Sequence, residues 1–469
     1  MKLPWWRRQD QGEECDSPAS HLARSMAYES LVVVFTAVAA AVIAFLVSRG
    51  QVEDLYIKAR GSAPTSGEVA VVTIGPEALY LWDPSQPQPE QTPRGLLTEL
   101  VRSIEEAGAS VIVLDVLMDA PDEPGLVPDP ALWSPSTPVV VATRFVPTAP
   151  TAQRDFMPDK AAALSHPQIH AGFANLQTEQ PWLFADGELV RHAPLVRQVA
   201  SASLSPGTWP TNLLGADQQD DRLVPSMTLQ AAMLHRGTSL ADLSAVCPVT
   251  PGEPLRCTEG AQALGLPASP QPLHEGVLIN FRGPEGHDGI PTVRAASLLR
   301  AASMRGLMES QGVPGPPADL PPDIREALAG KVVIVGRVDR IGQAHADRFV
   351  TPYSFPTLMR ADMAGVRVQA QVIDTLLSGR HVRKPPRWPF WLLGIGLGAA
   401  VWWSSLKLRD DVHAFGWSAV SGLLLVLGVL VFRWSDGWSA PLGPPLAGVL
   451  LTLLAVHGYG WSVEESKRT

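Results

Sequence analysis

Four long hydrophobic runs constrain this chain more than any other feature of its sequence. The first covers residues 31–47 and carries no charge, and three more, each near 20 residues, follow close to the C-terminus. An α-helix rises ~1.5 Å per residue, so ~20 apolar residues are enough to cross a bilayer. A cleaved signal peptide is the alternative for the first run, and a buried helical bundle is the alternative for the other three.

The runs predict four transmembrane α-helices, one N-terminal and three C-terminal, around a large domain outside the cytoplasm. Basic residues precede the first run and fill the loop between the second and third, which predicts cytoplasmic termini in a multi-pass protein of the bacterial plasma membrane. The lipid bilayer is therefore an expected partner. The predicted segments are a cytoplasmic stretch 1–29, transmembrane helices 30–48, 388–406, 412–432 and 440–459, an extracytoplasmic domain 49–387 and a cytoplasmic tail 460–469.

Composition excludes several functional classes. The formal net charge of −9 argues against a nucleic-acid partner, because such proteins carry a basic surface. Three cysteines are too few for a disulfide-rich scaffold or a multi-cysteine zinc module. No phosphate-loop, zinc-protease or serine-hydrolase motif stands in a supporting context. We therefore expect no cofactor, no metal and no enzymatic activity.

The segment 49–387 alternates between strand-like and helix-like patterns. Short continuous runs of β-branched residues indicate strands that are covered on both faces. Helical periods stand between them, so we predict an α/β sheet with helices on its faces. The predicted strands are 69–74, 111–116, 139–142, 277–281 and 332–335, and the predicted helices are 95–107, 226–235, 293–304 and 365–377.

Two cysteines of this segment lie ten positions apart in a proline-rich stretch. Outside the cytoplasm Cys247 and Cys257 could form a disulfide. Two free thiols are the alternative.

Several segments, in this order along the chain, resemble the CHASE2 domain, a sensory module of bacterial receptors. They are EEAGASVIVLDVLMD (105–119), VLINFRGPEG (277–286), LAGKVVIVGRVDRIGQAHADRFVTPYS (328–354) and GVRVQAQVIDTLLSGRHVRKPP (365–386). The resemblance covers most of 50–385 and implies an extracytoplasmic sensor that binds a small-molecule or protein ligand. It departs from the family pattern at Gly75–Pro76, in PEQTPR before the first long helix, and at Arg367–Ala370.

Relatives with this layout commonly continue into a cyclase, diguanylate cyclase or kinase domain. This chain ends about ten residues after its last hydrophobic run, and a catalytic domain needs a core of at least ~50 residues. We therefore expect the output to pass through a separate kinase or cyclase, and a homodimer is a further possible partner arrangement.

Two carboxylates end the second predicted strand, where α/β sheets place ligand sites. Asp115 and Asp119 could bind a ligand, hold a cation or act as acid and base. A loop-terminating or helix-capping carboxylate is the alternative.

Three further charged residues are candidates for ligand binding. Arg282 follows a buried-looking strand and could hold an anionic ligand or pair with a core carboxylate such as Asp347. Arg94 stands at a helix N-terminus, where a cation is unfavourable, which suggests a carboxylate partner or a ligand. A solvated arginine is the alternative for Arg94.

The sequence thus favours a sensor that binds an unknown ligand and signals through its membrane helices to a separate partner. A scaffold that binds a protein partner is one alternative, and a hydrolase centred on Asp115 and Asp119 is another.

Overall fold

The computed structural model divides the chain into two compact units. The sheet unit comprises residues 57–383, and the helical unit comprises residues 1–56 and 384–469. The residues whose structure is described are 51–85, 92–116, 135–143, 166–179, 189–200, 221–247, 266, 277–310, 320–338, 347–354, 363–382, 388–405, 410–435 and short pieces of 445–456.

The described strands of the sheet unit are mostly short. They are β1 (Val69–Ile74), β2 (Val111–Asp115), β3 (Val139–Thr143), β4 (Ile169–Phe173), β5 (Gln177–Glu179), β6 (Leu189–Ala193), β7 (Val196–Ala200), β8 (Asp221–Pro225), β9 (Val277–Leu278), β10 (Thr292–Arg294), β11 (Val332–Arg337), β12 (Arg348–Phe349) and β13 (Met363–Ala364).

Eight described helices belong wholly or partly to this unit, and two more to the helical unit. They are α1 (Gln51–Arg60), which crosses the boundary between the units, α2 (Pro76–Trp82), α3 (Arg94–Glu106), α4 (Met227–His235), α5 (Leu240–Val246), α6 (Ala295–Ser310), α7 (Pro322–Leu328), α8 (Gly365–Ser378), α9 (Trp388–Ser405) and α10 (Asp410–Trp434).

The main sheet has six parallel strands in the order β10-β1-β11-β2-β3-β4. Its central strands consist almost entirely of Val, Ile, Leu and Ala, as expected where both faces are covered by helices. The α/β part of the predicted fold is therefore found. Four of the five predicted strands match β1, β2, β3 and β11 to within two residues at either end, whereas the fifth, 277–281, forms only the two-residue β9.

Each face of the sheet carries its own helix layer. One core cluster joins alternate strand residues to buried side chains of α2, α3, α6 and α7. The intervening strand residues lie under α4 and α8, which pack on the opposite face. Helix α8 has no solvent-exposed side, because all residues from 365 to 377 are buried. It ends at Gly379, whose φ of 65° is the left-handed conformation that closes many helices.

The prediction of four transmembrane helices is corrected by the structure. Among the helices of the described ranges, none is both long and apolar enough to span a membrane. Helix α9 has 18 residues, but four tryptophans, three glycines, two serines and a proline lower its mean hydropathy. The predicted helix 30–48 lies outside the described residues, and 440–459 is described only in short pieces.

Small residues bring helices close together inside the helical unit. A Cβ added to Gly398 of α9 would lie 2.9 Å from Oγ1 of Thr452. Trp417 of α10 donates a hydrogen bond from Nε1 to Oγ of Ser404, at 2.8 Å.

Candidate functional site

A row of small residues crosses the sheet near its carboxyl edge, on the face that carries α4 and α8. Strand register aligns Thr73, Gly336 and Asp115 across β1, β11 and β2, and Ala142 with Gly172 across β3 and β4. At the edge of the sheet, Arg294 of β10 aligns with Thr73, so among the residues that β1, β11, β2, β3 and β4 contribute to this row Asp115 is the only charged one. Parallel α/β sheets commonly bind ligands at this edge.

The two glycines of the row allow α8 and α4 to begin directly on the sheet. A Cβ at Gly336 would lie 2.7 Å from Cβ of Val366, the second residue of α8. A Cβ at Gly172 would lie 2.5 Å from the backbone of Met227, the first residue of α4. Because β2 lies between β11 and β4, Asp115 sits between the N-termini of the two helices.

A second carboxylate reaches the same place from the segment before β12. Asp347 accepts a hydrogen bond at its main-chain carbonyl from the N–H of Gly365, at 2.8 Å. A Cβ at Gly365 would collide with the Asp347 carboxylate, so this side chain lies against the first residue of α8. Two positions that favour glycine, Gly336 and Gly365, thus bring Asp115 and Asp347 together. We call this pair and the adjoining N-termini of α4 and α8 the acid edge.

The two carboxyl groups affect each other's ionisation. Burial, and then the negative charge of Asp347, raise the pKa of Asp115 well above its usual range. Partial desolvation against α8 also raises the pKa of Asp347, although this residue is exposed at the surface. Two neighbouring carboxylates that resist full ionisation bind a shared proton, or a cationic group that neutralises them. In the described part of the chain, no group of three or more His, Cys, Asp or Glu residues could hold a metal ion.

Polar groups of α4 and α8 stand near the acid edge. Gln369 of α8 donates a hydrogen bond from Nε2 to the carbonyl of Ala174, just after β4, at 2.8 Å. Gln230, one turn into α4, has a buried side-chain oxygen for which the described residues provide no donor. A buried acceptor of this kind calls for an explanation, and a bound ligand is one.

Arg282 does not join the acid edge. Its side chain is fully buried and pairs with Asp374, with 2.8 Å between Nε and Oδ2, so the suggested partner Asp347 is wrong. Asp374 lies nine residues after Gly365, about 14 Å along α8 at ~1.5 Å per residue. Arg282 also donates to Oγ of Ser378, at 2.8 Å. Its geometry is that of a buried structural ion pair.

The other predicted site residues lie elsewhere or outside the description. Arg94 is the first residue of α3, in the helix layer on the opposite face of the sheet from Asp115. Asp119 and Cys257 are outside the described residues. Cys247 is disulfide-bonded, so of the two alternatives for this cysteine the cystine is the one found. Ligand binding by Arg94, Asp115, Asp119, Arg282 and Asp347 stays a prediction.

The sequence reasoning missed a second buried ion pair. Arg367 of α8 donates from Nη1 to both carboxylate oxygens of Asp288, at 2.9 and 2.8 Å. Gln371 donates from Nε2 to the same carboxylate, at 3.0 Å. The signal was available, because Arg367, Gln371 and Asp374 are spaced as one helical face of a segment that is rich in apolar residues. Together with Asp288 and Arg282, these three side chains form buried polar contacts along α8.

Comparison with known proteins gives one match. The family model of the CHASE2 domain matches residues 30–422, which is more than four fifths of the chain. No curated protein matches, and no solved structure matches.

Proposed function

The chain belongs to the CHASE2 domain family, whose members are extracytoplasmic sensor domains, and we propose that it senses a ligand at the acid edge. It acts at the outer side of the bacterial plasma membrane and passes its ligand state to a separate signalling protein, such as a kinase or cyclase. One observation carries this proposal: Asp115 and Asp347, distant in sequence, meet at the carboxyl edge of a parallel sheet, and both have raised pKa values.

The chemistry of the pair points to a class of ligand. An ammonium or guanidinium group beside Asp115 and Asp347 would let both carboxyl groups ionise and would compensate their repulsion. Neutral hydrogen-bond donors would bind more weakly, because they cannot neutralise the two carboxylate charges. The ligand is therefore a small molecule or peptide that presents a cationic nitrogen.

The disulfide supports the proposed location. Cys247 is the C-cap residue that follows α5, and it is disulfide-bonded. Disulfides persist in oxidising compartments and are rare in the bacterial cytoplasm. A sheet unit that is exported before it folds would form this bond.

A thermal-shift screen of amines and guanidinium compounds on the full chain tests the proposal. A ligand present at ~100 times its Kd stabilises the protein by about 2.7 kcal/mol. We expect such a shift in the unchanged protein and in the control Asp323→Asn, which alters an exposed carboxylate of α7. Asp115→Asn and Asp347→Asn should each abolish it. An equal shift in both acid-edge variants would refute the proposed site.

An enzymatic role is the second candidate, since neighbouring carboxylates with different environments are also used as acid and base in hydrolases. The sensor proposal expects no turnover of any ligand found in the screen. Hydrolysis of that ligand by the unchanged protein, lost in Asp115→Asn while the fold is retained, would favour the enzyme.

A further inference from the structure

Helix α8 connects the acid edge to the opposite end of the sheet unit. Its first residue, Gly365, lies against the carboxylate of Asp347. Its last turn contains Thr375 and Ser378, which belong to a set of buried polar contacts around residues 280–282. Since the whole helix is buried between these two points, a displacement at its start cannot be absorbed by a solvent-facing side.

Asn280 is the centre of the contacts at the far end of α8. Arg60 of α1 donates from Nη1 to Oδ1 of Asn280, at 2.6 Å. Asn280 donates from Nδ2 to the carbonyl of Arg380, at 2.7 Å. The N–H of Asn280 donates to Oγ1 of Thr375, at 3.3 Å. One fully buried side chain thus bridges α1 and the segment after α8, while its backbone holds α8 itself.

The two residues bridged by Asn280 stand next to the points where the chain enters and leaves the sheet unit. Arg60 follows Ile57, the first residue of the unit, by three positions. Arg380 precedes Arg383, the last residue of the unit, by three positions. Both covalent connections to the helical unit therefore start beside one amide side chain.

The neighbouring contacts make this bridge rigid. Arg60 also donates from Nη2 to the carbonyl of Phe281. Tyr353 donates from its hydroxyl to the carbonyls of Gly61 and Phe281, at 3.0 and 3.2 Å. Arg282, two residues after Asn280, is tied to α8 by its pair with Asp374. Residues 280–282 therefore move with α8 and with the first turn of chain after α1.

We propose that Asn280 is the coupling residue of the sensor, which links α8 to both chain connections so that they respond together. This inference rests on the proposed function, because the signal that it transmits starts at the acid edge. A change in charge at Asp115 shifts the start of α8, and the Thr375–Asn280 contact carries that shift to Arg60 and Arg380. Asn280 touches no ligand in this scheme and acts only through its neighbours.

Hydrogen–deuterium exchange on the full chain at about pH 8 tests the proposal, with Asp115→Asn as a side chain that cannot ionise at the acid edge. Four proteins are compared: the unchanged chain, Asp115→Asn, Asn280→Ala and the double variant. Asp115→Asn should alter exchange at residues 365–370 in both backgrounds. It should alter exchange at 57–61 and 379–382 by about fivefold or more only where Asn280 is present, since coupling free energies usually correspond to ~5–150-fold effects.

A conservative variant separates the two halves of the bridge. Asn280→Asp keeps the oxygen that accepts from Arg60 but loses the N–H that donates to Arg380. It should retain the response at 57–61 and lose the response at 379–382. Thr375→Val removes the hydroxyl that accepts from the N–H of Asn280 but leaves the bridge between Arg60 and Arg380 in place. It should abolish the responses at 57–61 and 379–382 together, and responses that survive in it would refute this route. Asn280→Asp also serves if Asn280→Ala fails to fold.

Two failures can be told apart. If 365–370 responds to Asp115→Asn and the connections respond equally without Asn280, only the coupling role is refuted. If Asp115→Asn alters exchange nowhere, the acid edge is not a switch, and the proposed function fails together with the inference.

Discussion

The buried ion pair between Arg282 and Asp374 offers the sharpest test of the fold. Both side chains have an exposed fraction of 0%, and 2.8 Å separates Nε from Oδ2. Asp374 also accepts a hydrogen bond from the N–H of Ser66, at 2.7 Å. Replacing Asp374 with alanine removes the counter-charge of Arg282 and one acceptor for the chain before β1.

The loss of stability expected for Asp374→Ala follows from the burial of the Arg282 charge rather than from the attraction between Arg282 and Asp374. An exposed ion pair contributes only ~0–1 kcal/mol, whereas removing one partner of a buried pair costs about 3–5 kcal/mol because a charge is left in the interior. We expect Asp374→Ala to lower the free energy of unfolding by about 3–5 kcal/mol. Typical domains have ~5–15 kcal/mol in total, so the variant would be close to unfolding.

Urea titration of the full chain, followed by far-UV circular dichroism and linear extrapolation, measures this loss. Arg102→Ala is the matched control, because Arg102 and Glu106 form an ion pair at 3.4 Å in which the Arg102 side chain is 65% exposed. The control should cost under ~1 kcal/mol.

A double variant isolates the effect of the buried charge. Arg282→Met with Asp374→Leu removes both charges and should be less destabilised than Asp374→Ala alone. If Asp374→Ala costs no more than Arg102→Ala, or if the double variant costs the sum of two single losses, the assignment of a buried pair is wrong.

Three further outcomes are expected. Raised pKa values mean that the folded state keeps protons which the unfolded state releases, so the acid edge loses stability as pH rises above the usual carboxyl pKa. Asp115→Asn should therefore have a higher melting temperature than the unchanged protein at about pH 8 and the same melting temperature at about pH 4. A difference that does not change with pH would contradict this sign. Gly336→Ala places a Cβ 2.7 Å from the Cβ of Val366 and should destabilise the sheet unit by about 1–3 kcal/mol in the same urea assay. Gly330→Ala is the control: no atom lies within 4 Å of the added Cβ, so only the strain of the positive φ should appear. Reduction of the disulfide of Cys247 should lower the unfolding free energy by about 2–4 kcal/mol, and an unchanged urea midpoint under reductant would contradict a stabilising role.

The main sheet was accessible from sequence because its strands repeat one simple signal. Runs such as VAVVTI and the VVIV that begins β11 consist almost entirely of β-branched residues, and such runs are typical of strands that are covered on both faces. Helix α8 was also predicted to within one residue, from its apolar period and from Gly379 after its end. The two-residue β9 shows the limit of such a prediction. The run 277–281 is also mostly apolar, but only Val277 and Leu278 pair with β6 and form a strand.

The partners of the charged residues could not be deduced from sequence. Arg282 and Asp374 are separated by 92 positions, and Asp115 meets Asp347 only because β11 is inserted beside β2. Contacts of this kind depend on strand order, which local patterns do not contain. For the described helices the membrane prediction was wrong for a different reason: tryptophan and glycine are common in bilayer helices, but in α9 they also lower the mean hydropathy.

The position of β11 in the sheet also has a consequence for how the protein is made. This strand begins at Val332 and pairs with β1, which begins at Val69, so 263 positions (332 − 69) separate the two. At ~5–20 residues per second of synthesis, the early strands emerge roughly 13–50 s before the strand that must stand between them. During that interval β1 and β2 expose apolar edges that have no partner strand, so the growing chain is prone to aggregate until β11 has emerged.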